Sequence, residues 1–175
     1  MTTSKYARAE REQRWLLRSV PKGARGPVEI VDRYVTGTTL RVRQVTSGGE
    51  VTWKLGQKVR ADPASPELAH HTTIYLSADE HALLAQLPGT ELRKTRRHLD
   101  FGGRSFAIDE LHGPLEGLLL AEVELEPGEP RRTQPPWADR DVTDDDRFSG
   151  ARLATANEAE VQALLVLAAD GNKDR

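Results

Sequence analysis

An alternation of period two, recurring along most of the chain, restricts its fold more than any other feature. Residues 10–17, 29–36, 39–45, 51–58, 72–77, 91–99, 105–111 and 117–126 are stretches of strand length, most of them alternating charged with apolar side chains. Successive side chains of a strand point to opposite faces, so this period suits strands with one apolar and one polar face. Turn signals such as Gly37-Thr38-Thr39, Ser47-Gly48-Gly49 and Phe101-Gly102-Gly103 separate the stretches. The expected class is mainly β with some helix (α+β), as an antiparallel sheet or barrel.

Two segments read as helices instead. Ser77-Ala78-Asp79-Glu80 is a capping box, followed by Leu83, Leu84 and Leu87 and ended by Pro88-Gly89. Thr155-Ala156-Asn157-Glu158 reads as a second box, opening a C-terminal helix over 155–170. Val161, Leu164, Leu165 and Ala168 form its stripe, and Gly171 suits its stop. The stretch 127–146, rich in Pro and Asp, reads as irregular structure without a domain boundary. At 175 residues, one domain covering 1–175 can bury its own core.

Composition removes several chemistries. With no cysteine, disulfides, thiolate-bound zinc, iron–sulfur clusters and thiol catalysis are excluded, and a metal would sit on oxygen or imidazole. The first eleven residues are polar and no later apolar run approaches a membrane span, so a soluble, cytoplasmic protein is expected. A net charge of −2 gives no global pull toward nucleic acid or an anionic membrane, and neither is expected as a partner. With 30% of residues charged, the placement of the charges carries the information.

Parity sorts those charges, because residues two apart on a strand share a face about 6.5 to 7 Å apart. Glu10, Glu12 and Arg14 lie together, opposite Trp15 and Leu17. Arg41 and Arg43 share a face, as do Lys54 and Lys58 around Gly56. Asp109 is opposite Phe106 and Ile108, and Glu122, Glu124 and Glu126 alternate with Ala121, Val123 and Leu125. The stretch 91–99 is polar on both faces, so parity does not choose between Lys94/Arg96 and Arg93/Arg97. A merely solvated sheet mixes signs for solubility and cross-strand pairing, whereas these faces are mostly of one sign. If the apolar backs form a core with the helices, the charged faces line a shared concavity, which needs ligands or ions to neutralise it. Carboxylate rows suit hard cations, and rows of Arg and Lys suit phosphate or another polyanion.

At these residues the chain resembles the CYTH family, the triphosphate tunnel metalloenzymes that include class IV adenylate cyclases, thiamine triphosphatases and inorganic tripolyphosphatases. The resemblance runs through Glu10-Arg11-Glu12-Gln13-Arg14, Tyr34, Leu40-Arg41-Val42-Arg43 and Trp53-Lys54-Leu55-Gly56-Gln57-Lys58. It continues through Lys94-Thr95-Arg96, Ile108-Asp109 with Gly113, and Glu122-Val123-Glu124, into the tail around Pro135-Pro136-Trp137 and Asp141-Val142-Thr143. It implies an eight-stranded antiparallel β-barrel tunnel with flanking helices, present as a monomer or homodimer, that hydrolyses the terminal phosphate of an inorganic, organic or nucleoside triphosphate. It also implies that Lys94 and Arg96 point inward. Glu10, Glu12, Glu122 and Glu124 would hold one or two Mg²⁺ or Mn²⁺ ions, with Asp109 as a further ligand or acceptor. Arg41, Arg43, Lys54, Lys58, Lys94 and Arg96 would grip the triphosphate, with Arg14 and Tyr34 as the catalytic pair.

Two departures stand out. The family's lysine after the opening glutamates is Arg14 here, and a guanidinium cannot serve as a base. The attacking water would then be activated by the metal, with Arg14 as a phosphate contact. His70-His71-Thr72-Thr73 stands where relatives often carry an acidic residue, and His71 is the candidate to replace it. A phosphorylated-ligand sensor without turnover is the alternative in another class, and adenylate cyclase the other enzyme reading.

Overall fold

The computed structural model describes residues 5–60 and 67–169. Strands β1 (Arg8–Leu17), β2 (Arg25–Val35), β3 (Leu40–Ser47), β4 (Glu50–Arg60) and β5 (Leu68–Leu76) come first. After helix α1 (Ala78–Leu84) follow β6 (Gly89–Phe101), β7 (Arg104–Leu111), β8 (Leu119–Leu125) and the short β9 (Arg140–Asp141). Helices α2 (Gly150–Thr155) and α3 (Glu158–Ala169) close the sequence. Every pairing is antiparallel, in the order β5-β4-β3-β2-β6-β7-β8-β1, and β5 pairs back to β1 to close an eight-stranded barrel.

Local chemistry sets the corners. In the β3–β4 hairpin Ser47 faces Glu50 across Gly48 and Gly49, both at positive φ, and Gly102-Gly103 does the same between β6 and β7. Two positive-φ residues in a two-residue loop match the right-handed twist of the strands they join.

The seam between β1 and β5 is short, running from Arg8↔His71 to Arg11↔Leu68. Beyond it the backbone of β1 is satisfied by the C-terminal segment. β9 pairs with Trp15 and Leu16, the amide of Val142 donates to Arg14 O at 2.9 Å, and the amide of Arg14 donates to Thr143 Oγ1 at 3.0 Å. This segment therefore fills a gap in the barrel wall, in keeping with the need to pair buried backbone groups.

The core is divided in two. On the outside of β1, β7 and β8, Trp15, Phe106, Ile108 and Val123 are buried under Trp137 and Ala138. Trp137 meets Phe106 edge-on, with centroids 5.1 Å apart at 89°, an arrangement favoured by the ring quadrupoles. At one end of the lumen, the inward leucines Leu16, Leu92, Leu111 and Leu120 pack with Phe148, Leu153, Val161 and Leu164. The C-terminal helices thus plug the barrel, and do not lie on the strand backs where the sequence pattern sends them, because the inward rows change from charged to leucine along β1, β6 and β8. Helix α1 also departs from expectation. Its capping box between Ser77 and Glu80 is present, but it buries no residue, and Leu83 is 69% exposed. Helix α2 has no counterpart in the sequence reading, and Gly171 lies outside the described residues. Among the described residues no helix is long and apolar enough to cross a membrane.

Candidate functional site

The open part of the lumen is a cavity of about 480 Å³. β1 contributes Glu10, Glu12 and Arg14 to its lining, β2 Tyr34, β3 Arg41 and Arg43, β4 Lys58, β5 His71, β6 Lys94 and Arg96, and β8 Glu122. These are inward positions of their strands, alternating with the outward core side chains. On β6 the inward pair is Lys94 and Arg96, the choice that parity left open. The C-terminal segment adds Thr143, Asp145, Asp146 and the start of α2 to the rim.

Charges inside are interleaved, so that nearly every carboxylate meets a cation. Lys58 Nζ lies 2.7 Å from Glu12 and 3.9 Å from Glu10, and His71 Nδ1 lies 2.9 Å from Glu10. Arg14 donates to Glu122 from Nε at 2.8 Å and sits 3.6 Å from Glu12. Arg96 also reaches Glu122, at 3.0 Å. Burial pushes the Glu122 carboxyl up, but the charges of Arg14, Arg96 and Lys94 outweigh it and hold the group well below the usual carboxylate range. Glu10 is likewise lowered, its burial offset by the hydrogen bond and charge of His71 and by Lys58.

Behind the lining lie two buried carboxylates. Asp109, 2% exposed, accepts from Lys94 Nζ at 2.5 Å and from Arg96 Nε and Nη2 at 2.6 Å each. It anchors two cations from the wall, so the structure places it behind the site and not at the cavity surface where a metal ligand would stand. Asp32 is fully buried and accepts from Arg43 Nε at 2.6 Å and Nη2 at 2.7 Å, with Arg41 Nε 3.5 Å away. The sequence reading passed over Asp32, although it shares the face of Tyr34 and the same parity test would have found it.

Other candidates fall elsewhere. Lys54 lies outside the cavity lining; it faces Tyr75 across β4–β5 and holds its ammonium 5.0 Å from the ring centroid. Glu124 is opposite Glu12 in register, but its side chain is 49% exposed at the rim and pairs with Arg8 at 2.6 Å. Tyr34 and Arg14 line one cavity, yet the Tyr34 hydroxyl interacts with Arg41. Burial raises the phenol above its ordinary value. Lys94 is pushed below its ordinary value by burial and by Arg96, against the pull of Asp109. The acidic run is ion-paired: Asp144 with Arg131, Asp145 with Arg147 and Asp146 with Arg60.

As a donor set, the carboxylates suit a hard cation only in part. Among the described residues no group of three or more acidic or histidine side chains is gathered closely enough to hold a metal. Glu10 and Glu12 are neighbours on one face, and magnesium is commonly held by one or two carboxylates together with waters and substrate phosphate oxygens. The residues therefore fit an ion shared with a phosphorylated ligand and not a preassembled protein cage.

No protein-family model matches this chain. An inorganic triphosphatase from Acetivibrio thermocellus is 36% identical over 62 residues, 35% of this chain and 40% of the relative, so the match spans less than half of that protein. The crystal structure of the inorganic triphosphatase NE1496 has a TM-score of 0.57 and 22% identity, over 85% of this chain and 95% of that one. A second crystal structure of NE1496, described as a hypothetical protein, gives 0.58 and 22% over 84% and 98%. The shared barrel and the sequence match fit the family that the motifs resemble.

Proposed function

We propose that this chain is a triphosphatase of the CYTH family that hydrolyses inorganic triphosphate with a divalent cation. The observation that carries this reading is the cavity wall itself. Arg41, Arg43, Lys94 and Arg96 converge from neighbouring strands on a space closed at one end, with Glu10 and Glu12 on the wall across the lumen. A linear polyanion is the ligand that such a wall recognises, since guanidinium and ammonium groups bind phosphate oxygens through charge-assisted hydrogen bonds. The lining favours an inorganic chain over an organic triphosphate. Among the described residues its rings are Tyr34, half-buried beside Arg41, and the His71 imidazole, held 2.9 Å from Glu10, with no Trp or Phe to stack on a base or a thiazole.

In the reaction, the arginines and Lys94 bind the triphosphate and stabilise charge on the transferred phosphoryl group and the leaving pyrophosphate. A Mg²⁺ or Mn²⁺ ion held by Glu10 and Glu12 would neutralise phosphate oxygens and lower the pKa of a water. Arg14 cannot take a proton, and the raised phenol of Tyr34 is no base near neutral pH. Both residues therefore orient: Arg14 holds Glu122 and Glu12 on the β1–β8 wall, and Tyr34 holds Arg41. That neither Arg14 nor Tyr34 can take the proton favours a second reading, a sensor that binds polyphosphate without turnover.

One assay separates these readings. The purified protein is given inorganic triphosphate, ATP or thiamine triphosphate with Mg²⁺ or Mn²⁺, and phosphate, pyrophosphate and cyclic AMP are measured. Phosphate and pyrophosphate from inorganic triphosphate are expected. Tight binding without product would establish the sensor, and cyclic AMP with pyrophosphate the cyclase. A Glu10→Gln/Glu12→Gln double variant with unaltered metal-dependent turnover would sink the assignment of the ion to these two carboxylates.

A further inference from the structure

We propose that Asp32 is the positioning residue of the anion-binding wall, aiming Arg41 and Arg43 at the ligand from behind without itself touching ligand or metal. The proposal rests on the triphosphate reading and adds to it a residue with no counterpart among the family motifs matched above. Asp32 has no exposed surface, while both arginines reach the cavity lining. Arg43 spends its Nε and Nη2 on the two carboxylate oxygens, which leaves Nη1 for the lumen. Arg41 has its Nε 3.5 Å from Asp32 and interacts with the Tyr34 hydroxyl. Two flexible side chains are thereby gathered on one carboxylate, and both reach the same cavity.

The chemistry of position 32 argues for this role. A buried carboxylate is costly unless fully paired, and an apolar residue of similar volume satisfies packing without that cost. The neighbours of Asp32 on its own face, Ile30 and Tyr34, belong to such packing. What an apolar residue cannot supply is the planar two-oxygen partner that sets a guanidinium in one orientation. Asp109 does the corresponding work for Lys94 and Arg96 on the adjoining strands, so each half of the cationic wall has its own buried anchor.

Orientation and simple charge neutralisation predict effects of opposite sign. If Asp32 only offsets positive charge, Asp32→Asn raises the lumen potential and tightens polyanion binding. If it orients, the same change releases the arginines and weakens binding. Isothermal titration with inorganic tripolyphosphate at fixed ionic strength, together with hydrolysis kinetics, reads the sign. The expected result is binding weaker by about ten- to hundred-fold, as for loss of one partner of a buried charge pair, with KM rising more than kcat falls. Asp32→Glu should recover part of the loss, and Asp32→Asn/Arg43→Gln should lose less than the sum of the two single losses, the remainder being the release of Arg41. Unchanged or tighter binding by Asp32→Asn, or additive losses in the double variant, would overturn the proposal. Should the Asn variant fail to fold, Arg43→Lys keeps the charge without the fork. Weaker binding by that variant supports the proposal and unchanged binding overturns it. A wild-type chain that does not bind tripolyphosphate fails the functional reading itself, and the first titration shows this before any variant is made.

Discussion

Gly150 opens α2 beside the hydroxyl of Tyr34, and a Cβ there would stand 2.1 Å from the phenol oxygen and 3.2 Å from Cζ. Neither partner can easily give way, since Tyr34 is tied to Arg41 and α2 is packed through Leu153. Gly150→Ala is expected to cost about 1 to 3 kcal/mol, typical of overpacking, seen as a lower midpoint in urea unfolding. Adding Tyr34→Phe should return part of it, because the closest clash is with the oxygen. Equal losses in the single and double variants would show that the contact is not what limits position 150. Asp32 governs a different response, to pH. Burial raises its carboxyl, but the hydrogen bond from Arg43 and the charges of Arg41 and Arg43 bring it down to about 2. The folded value lies below the ordinary one, so the stabilisation is present above about pH 4 and is lost as pH falls toward 2. It amounts to about 2 kcal/mol. Unfolding midpoints measured between pH 5 and 2 should fall steeply for the wild type and less steeply for Asp32→Asn. Parallel curves would refute the assignment.

Among the elements, the start of α3 shows how a local signal can be read one turn-position wrongly. The Ser/Thr-x-x-Glu pattern at Thr155 and Glu158 is present in the sequence, but the reciprocal pair forms two residues later: Asn157 Oδ1 accepts from the Glu160 amide at 3.0 Å, and Glu160 Oε2 accepts from the Asn157 amide at 2.8 Å. Thr155 instead donates its hydroxyl to Ala151 O and Arg152 O and ends α2. Since Asn is as good an N-cap as Thr, propensity does not separate the two choices, and the short preceding helix does. Asn157→Ala should therefore destabilise the protein by about 1 kcal/mol, and more than Thr155→Ala does, measured by chemical unfolding; the reverse order would return the cap to Thr155. The strands were more legible than the helices because their period is anchored to a wet and a dry face along each of β1, β3, β7 and β8. Within them the parity of Glu10, Arg41 and Glu122 led directly to the cavity. Lys54 shares that parity and still falls outside the cavity, because parity fixes a face but not the depth along the barrel. The stretch 127–146 has no period at all, and its use as outer cover and seam filler depends on partners more than a hundred residues away, such as Gln13, whose amide reaches Asp141 at 2.8 Å.

Across the whole molecule, the lumen is a set of opposite charges that already satisfy one another, and this governs how a ligand can enter. A polyphosphate that engages Lys58 and Arg14 must draw them away from Glu12 and Glu122, leaving Glu12 unpaired in a confined space and Glu122 with Arg96 as its remaining partner. Unpaired buried charge is unfavourable, so a cation that takes up the released carboxylates favours the anion, and by linkage the anion favours the cation equally. Metal and triphosphate should therefore bind cooperatively even though neither finds a vacant set of ligands at the start. Glu12→Gln tests this, because it frees Lys58 without disturbing the buried Asp32 and Asp109 anchors. Without metal, the variant should bind tripolyphosphate several-fold more tightly than the wild type in isothermal titration, since one competitor for the cations is gone. With Mg²⁺ added, the wild type should gain affinity and the variant gain much less, since one carboxylate for the ion is gone as well. Weaker metal-free binding by Glu12→Gln would mean that Glu12 supports the cations and does not compete with the ligand for them, and the exchange would then have to be abandoned as the way this barrel is loaded.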